Sequence, residues 1–100
     1  MDDLIKHFFS DGLYAKETRI PQDYRLTQHS HSYDHMSILA SGWVTVLVDG
    51  VATDYHAPAC INIEAGKNHE VIGVTDSVWY CIHATDETDP EKIDEVLIRS

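Results

Sequence analysis

The stretch from His29 to Gly42, HSHSYDHMSILASG, sets three histidines within seven residues and then turns apolar. On an extended chain side chains alternate with period two, so His29 and His31 share a face and their imidazoles converge. The tight segment SYD that follows predicts a turn that brings His35 back beside them, at the head of the apolar run HMSILA. A fourth histidine, His69, stands where the turn EAGKN enters the strand-like run HEVIGVT. Neutral imidazole is the commonest protein ligand of divalent transition metals, and several of them on rigid strands make a candidate metal site. His7 and His56 belong to no such cluster and read as surface or hydrogen-bonded residues.

Around this stretch the pattern is that of strands. From Leu13 to Ile82 β-branched residues alternate with polar ones, punctuated by turn signals at IPQD, SG, DG, AP, EAGKN and TDS. The spacing predicts strands near 13–20, 24–31, 34–41, 43–48, 51–56, 60–63, 69–74 and 78–84. Within WVTVLVDGVATDY, Asp49-Gly50 suits the two-residue turn of a hairpin, because both positions must take positive φ. At the N-terminus, Asp2 or Asp3 followed by Leu4, Ile5, Phe8 and Phe9 and then Gly12 predicts a short capped helix. At the C-terminus, Asp89 as N-cap, Pro90 at the first helical position and the apolar positions Ile93, Val96 and Leu97 predict a second. The expected architecture is one all-β domain over residues 1–100, closed as a barrel or sandwich, with short helices at both ends.

The run H-S-H-S-Y-D-H, six further residues and Gly42 resembles the first motif of the cupin superfamily, H-x-H-x(3,4)-E-x(6)-G, with His35 in the glutamate position. IEAGKNH resembles the second motif, P-x-G-x(2)-H, with Glu64 replacing proline and Gly66 and His69 in register. The segments HSYDH, ILASGWVTVL and WYCI look like those of small single-domain cupins with four histidines, manganese-binding ones among them. The resemblance implies a small jelly-roll β-barrel over about 20–84. It also implies a divalent metal held by His29, His31, His35 and His69, with manganese or iron favoured and zinc, nickel, cobalt or copper as alternatives.

Four neutral ligands leave the full charge of a divalent ion on the site, which favours an anionic or chelating substrate. Arg25 and Thr27 share the parity of His29 and His31, which would place the Arg25 guanidinium inside the barrel, opposite a substrate carboxylate, the alternative being a surface arginine. Tyr33, between two candidate ligands, is a candidate donor beside the metal. On the last strand Trp79, Cys81 and His83 alternate onto one face. If that face looks inward, Trp79 and Cys81 line the substrate chamber and His83, with an ordinary pKa near neutrality, can donate or accept a proton there.

Composition bounds the rest. Acidic residues outnumber basic ones 17 to 7, a formal charge of −10, so the field around the chain repels nucleic acid and anionic membrane surfaces. No stretch approaches the roughly 20 apolar residues that span a bilayer, and the start MDDLIKHFFSDG lacks a basic leader, so the expected location is the cytoplasm. The two cysteines, Cys60 and Cys81, sit in apolar runs and read as reduced thiols. A core this small gains from burial against a second copy, so a homodimer is expected. Three functions fit: a metal-dependent oxidoreductase of dioxygenase type or a Lewis-acid isomerase or lyase acting on a sugar acid, a binding module without turnover, and a structural zinc site. No phosphate loop, metalloprotease helix, calcium loop or serine elbow competes with them.

Overall fold

The computed structural model describes residues 4–28 and 35–92. Nine strands run in chain order: β1 (Ile5–Ser10), β2 (Leu13–Ile20), β3 (Arg25–Gln28), β4 (His35–Ser41), β5 (Trp43–Val48), β6 (Val51–His56), β7 (Ala59–Ile63), β8 (His69–Gly73) and β9 (Ser77–Ala84). They form two antiparallel sheets, ordered β1-β2-β9-β4-β7 and β3-β8-β5-β6. The inner faces of the two sheets pack on one apolar core, the arrangement of a jelly roll.

The alternation expected from the sequence is most regular in β9, where Ser77, Trp79, Cys81 and His83 are buried and the residues between them are not. Its neighbours repeat the pattern. Tyr14, Thr18 and Ile20 of β2 lie opposite His83, Trp79 and Ser77, and Ser37 and Leu39 of β4 lie opposite Cys81 and Trp79. The facing sheet contributes Val44, Val46 and Val71. Each fully buried aliphatic side chain of this kind contributes about 1.5–3 kcal/mol. The core is graded along the strands: Ile20, Leu39, Val44 and Trp79 fill one end, and Tyr14, His35, His69 and His83 gather at the other.

The Asp49-Gly50 hairpin forms as the sequence predicts, with φ of 50° and 82° at the two turn residues. The N-terminal helix does not form. Ile5–Ser10 is a strand that pairs with β2 through a turn at Asp11-Gly12, where Gly12 has φ 73°. A single helical turn or two is marginal in water, whereas the strand satisfies its backbone on β2 and buries Ile5, His7 and Phe9 in part. Asp11-Gly12 is therefore a hairpin turn and not a helix end, with positive φ at Gly12 alone, unlike Asp49-Gly50. At the other terminus Asp89 Oδ1 accepts from the Glu91 N–H at 2.9 Å and the Asp89 carbonyl accepts from the Lys92 N–H at 3.0 Å, a capped turn. No α-helix occurs among the described residues, and Ile93, Val96 and Leu97 lie outside them. No helix among those residues is long and apolar enough to cross a membrane.

Cys60 is exposed on β7 and Cys81 is buried on β9, both as free thiols. On the outer face of the five-stranded sheet the Tyr80 hydroxyl donates to Glu17 Oε2 at 2.7 Å, and Arg19 Nε lies 3.6 Å from Glu17 Oε1. This hydrogen bond raises the Tyr80 pKa above the ordinary tyrosine value, helped by burial and the Glu17 charge and opposed by Arg19. Because the folded value is the higher one, the associated stability is present below the unfolded pKa and is lost as pH climbs through the folded one. An ultraviolet titration should therefore show one tyrosine ionising later than the ordinary value. Glu17→Gln should return it toward that value, and an unchanged titration curve would contradict the pairing.

Gly42 joins β4 to β5 with φ 91°, and a Cβ there would collide with Ser77 Oγ and come within 2.5 Å of the Asp76 carbonyl oxygen. Gly12 has φ 73° but faces open space. Gly42→Ala should cost roughly 2–5 kcal/mol by strain plus overpacking and Gly12→Ala only about 1–2 kcal/mol. Urea midpoints at constant slope measure the difference.

Candidate functional site

The polar end of the barrel is built by three strand positions that alternation turns inward. His35 opens β4, His69 opens β8 and His83 lies near the end of β9, with exposures of 6%, 1% and 4%. His35 and His69 come from opposite sheets, with ring centroids 5.6 Å apart and planes tilted by 42°. An imidazole centroid lies roughly 3.2 Å from an ion bound at the usual metal–nitrogen distance of about 2.1 Å. A 5.6 Å separation is less than twice that, a spacing compatible with one ion between the two rings. The donor set fits a divalent transition metal, being imidazole held out of bulk water on rigid strands.

His83 meets His35 differently. Their centroids are 5.0 Å apart with planes within 25°, a stacked arrangement. His83 is thus a neighbour of a candidate ligand. The stack continues to Tyr14, whose centroid is 6.1 Å from His83, and to His7, 5.8 Å from Tyr14. His7 Nδ1 and the Tyr14 hydroxyl are hydrogen-bonded at 2.6 Å. Phe9 packs on the same phenol ring at 5.1 Å. The edge strand β1 therefore walls one side of the site, and Tyr14, fully buried, links it to the histidines.

The other residues singled out by the sequence fall as follows. Trp79 and Cys81 are buried on the inner face of β9, and Ser37 Oγ lies 3.7 Å from Cys81 Sγ. Arg25 does not enter the barrel. Its side chain is 58% exposed and pairs with Glu70 at 2.7 Å, while Leu26, the next residue, packs on the core. The ladder sets this parity: Leu26 pairs with buried Val71, which turns Arg25 and Thr27 to the outer face. There Arg25, Thr27, Leu47, Asn68 and Glu70 line an open depression of about 620 Å³. His29, His31 and Tyr33 lie outside the described residues. Among the described residues no group of three or more His, Cys, Asp or Glu is set to hold a metal. His56 is exposed against Trp43, with centroids 4.7 Å apart. Tyr14, Lys16 and Thr18 are inner-face residues the sequence reading passed over, although the alternation of LYAKETRI with Ile20 as the inward anchor carries the signal.

The chain matches no protein-family model and no curated protein. Solved structures do match. KdgF from Halomonas sp. superposes with a TM-score of 0.72 at 16% identity, over 87% of this chain and 81% of that one. A cupin-2 conserved barrel domain protein from Salinispora arenicola gives 0.69 at 16% identity, over 96% of this chain and 83% of that one. A cupin-2 domain protein from Shewanella frigidimarina gives 0.68 at 13% identity, over 81% and 79%. The fold is that of the cupin barrel.

The Tyr14–His7 bond tests how firmly β1 is tied to the site. Tyr14→Phe should lower stability by about 0.5–1.5 kcal/mol, the worth of one hydrogen bond. In the same variant the His7 ring nitrogens should shift in nitrogen NMR while the backbone spectrum stays dispersed. An unshifted His7 would remove the bond.

Proposed function

We propose that this chain is a metal-dependent oxidoreductase of dioxygenase type, its ion held by His29, His31, His35 and His69, acting on a small organic substrate that is anionic or chelating. The observation that supports it most is the approach of two buried imidazoles from opposite sheets, His35 and His69, to 5.6 Å between ring centroids. Manganese or iron bound there would supply a redox-active Lewis acid with open coordination positions.

The chain's own residues account for the rest of the chemistry. His35 occupies the position of a glutamate in the resembling motif, so it contributes a donor without a negative charge and leaves the ion's charge to the substrate. Ile63, opposite His35 on β7, and Val71, two residues along β8 from His69, are buried and exclude water from the two ligands. His83, stacked on His35 and nearly buried, is the group placed to hold or pass a proton at its imidazole nitrogen. Tyr14 and the edge strand hold that ring from its far side.

Elemental analysis of the purified protein tests the reading. Near-stoichiometric manganese or iron is expected, with loss of metal in His35→Ala and His69→Ala and retention in His83→Gln. Added metal should raise the melting temperature of the wild type and of His83→Gln, but not of the two alanine variants. Unchanged metal content in His35→Ala would remove that residue from the set, and a zinc bound by four protein ligands with no open position would replace the enzyme reading with a structural one.

A further inference from the structure

We propose that the outer face of the five-stranded sheet is an interface on which a second copy of this chain docks face to face. The surface lies on the opposite side of that sheet from the histidines, so the inference stands apart from the metal-dependent function. It gives a place to the homodimer expected from the size of the core.

The ladder registers put an unbroken apolar row on that face. Phe8 of β1 lies opposite Ala15 of β2, Ala15 opposite Ile82 of β9, and Ile82 opposite Met36 of β4. The row crosses three strand-to-strand spacings, about 14 Å. Leu13, two residues from Ala15, and Ile38, two residues from Met36, share the face and widen the row on either side. Phe8, Leu13 and Met36 are 49%, 49% and 48% exposed, three of the four large apolar side chains that the described residues leave open to solvent. The fourth, Val51, stands at the start of β6 in the other sheet. Single exposed apolar residues are ordinary, but a contiguous set of them marks a surface that another protein covers.

Charge selects the partner. The chain carries −10, so two copies repel wherever their acidic surfaces meet. On this face the outward residues of the five strands include two cations, Lys6 and Arg19, and one carboxylate, Glu17. Glu17 is 8% exposed and is held by the Tyr80 hydroxyl and Arg19. The other carboxylates of the described residues lie in turns and loops, on the four-stranded sheet or beyond β9. Like-charge repulsion between two copies is therefore least here. With Arg19 already beside Glu17, the face does not select an acidic partner either. The outer face of the other sheet contrasts with it, for there Arg25 pairs with Glu70 and Thr45 with Asp54 within the chain.

The geometry suits self-association. A two-fold axis in the plane between two such sheets lays the row of one copy along the row of the other, whether the axis runs with the strands or across them. Five strands about 4.8 Å apart, each of about six residues at about 3.3 Å, present roughly 500 Å² of flat face per copy. Two copies then bury on the order of 1,000 Å², the size at which a specific interface becomes stable.

The test is sedimentation of the full chain across concentration, with wild type beside Phe8→Glu, Met36→Glu and Val51→Glu. A reversible monomer–dimer equilibrium is expected for the wild type, tightening as added salt screens the overall charge. Each substitution appears twice in a symmetric pair, so Phe8→Glu and Met36→Glu should each weaken dimerisation about tenfold or more, while Val51→Glu leaves it within about twofold. All three positions are open to solvent in the single chain, and a dispersed amide spectrum in each variant separates lost docking from lost fold. In methyl-labelled wild type the Met36 resonance should move on dilution, a readout that needs no substitution.

A wild type that stays monomeric at every concentration would overturn the proposal and leave the face to residues 93–100 of the same chain or to a different protein. A dimer unaffected by Phe8→Glu and Met36→Glu would also overturn it, and would point to edge-to-edge pairing through β1 or β7, since Met36 lies on an inner strand. A dimer that loosens with added salt would replace the apolar contact with ion pairing.

Discussion

Everything in the barrel hangs on the two-residue alternation of β9, held in register on both sides. β9 is the central strand of the five-stranded sheet, paired with β2 over its whole length and with β4 across a bulge at Leu39–Ser41. A slip of one residue would send Trp79, Cys81 and His83 to the outer face and bring Val78, Tyr80 and Ile82 in. That exchange would remove the tryptophan from the core and move Tyr80 away from Glu17 on the outer surface. Core packing and the outer hydrogen bond thus select the same register, and the histidine end inherits its geometry from the apolar end.

Grading the core explains how a chain of 100 residues can carry a polar chamber at all. Three buried imidazoles and a buried phenol cost desolvation, which hydrogen bonding and stacking offset only in part. Ile20, Leu39, Val44, Val46, Val71 and Trp79 form a contiguous apolar cluster between the sheets. The polar residues at the far end then ride on a scaffold stabilised mainly by the apolar end.

How much of this was legible in the sequence follows from which signals are local. The Asp49-Gly50 hairpin and the inward set on β9 are local patterns, since a turn dipeptide or a period of two contains its own consequence. The histidine pair His35 and His69 was legible because each sits at the head of an apolar strand after a turn. What failed depended on partners. IKHFFS reads as a helix face or a strand face alike, and only the β2 edge decides between them. The parity shared with His29 and His31 points Arg25 inward, whereas the β3–β8 ladder pairs Leu26 with buried Val71 and turns Arg25 outward. Leu26, apolar between Arg25 and Thr27, is the residue of β3 that packs on the core.

The edge strand that the sequence hid proves to matter for the site. His7 of β1 is bonded to the Tyr14 hydroxyl, Tyr14 stacks on His83, and His83 stacks on His35. A phenol buried this deeply needs a partner for its hydroxyl, and β1 provides it. His7 also lies directly across from Lys16, so the same strand that anchors Tyr14 flanks the one cationic side chain on the described inner face. The N-terminal segment is therefore a wall of the chamber and not an appendage to it. Its pairing orders the row of rings that ends on a candidate metal ligand.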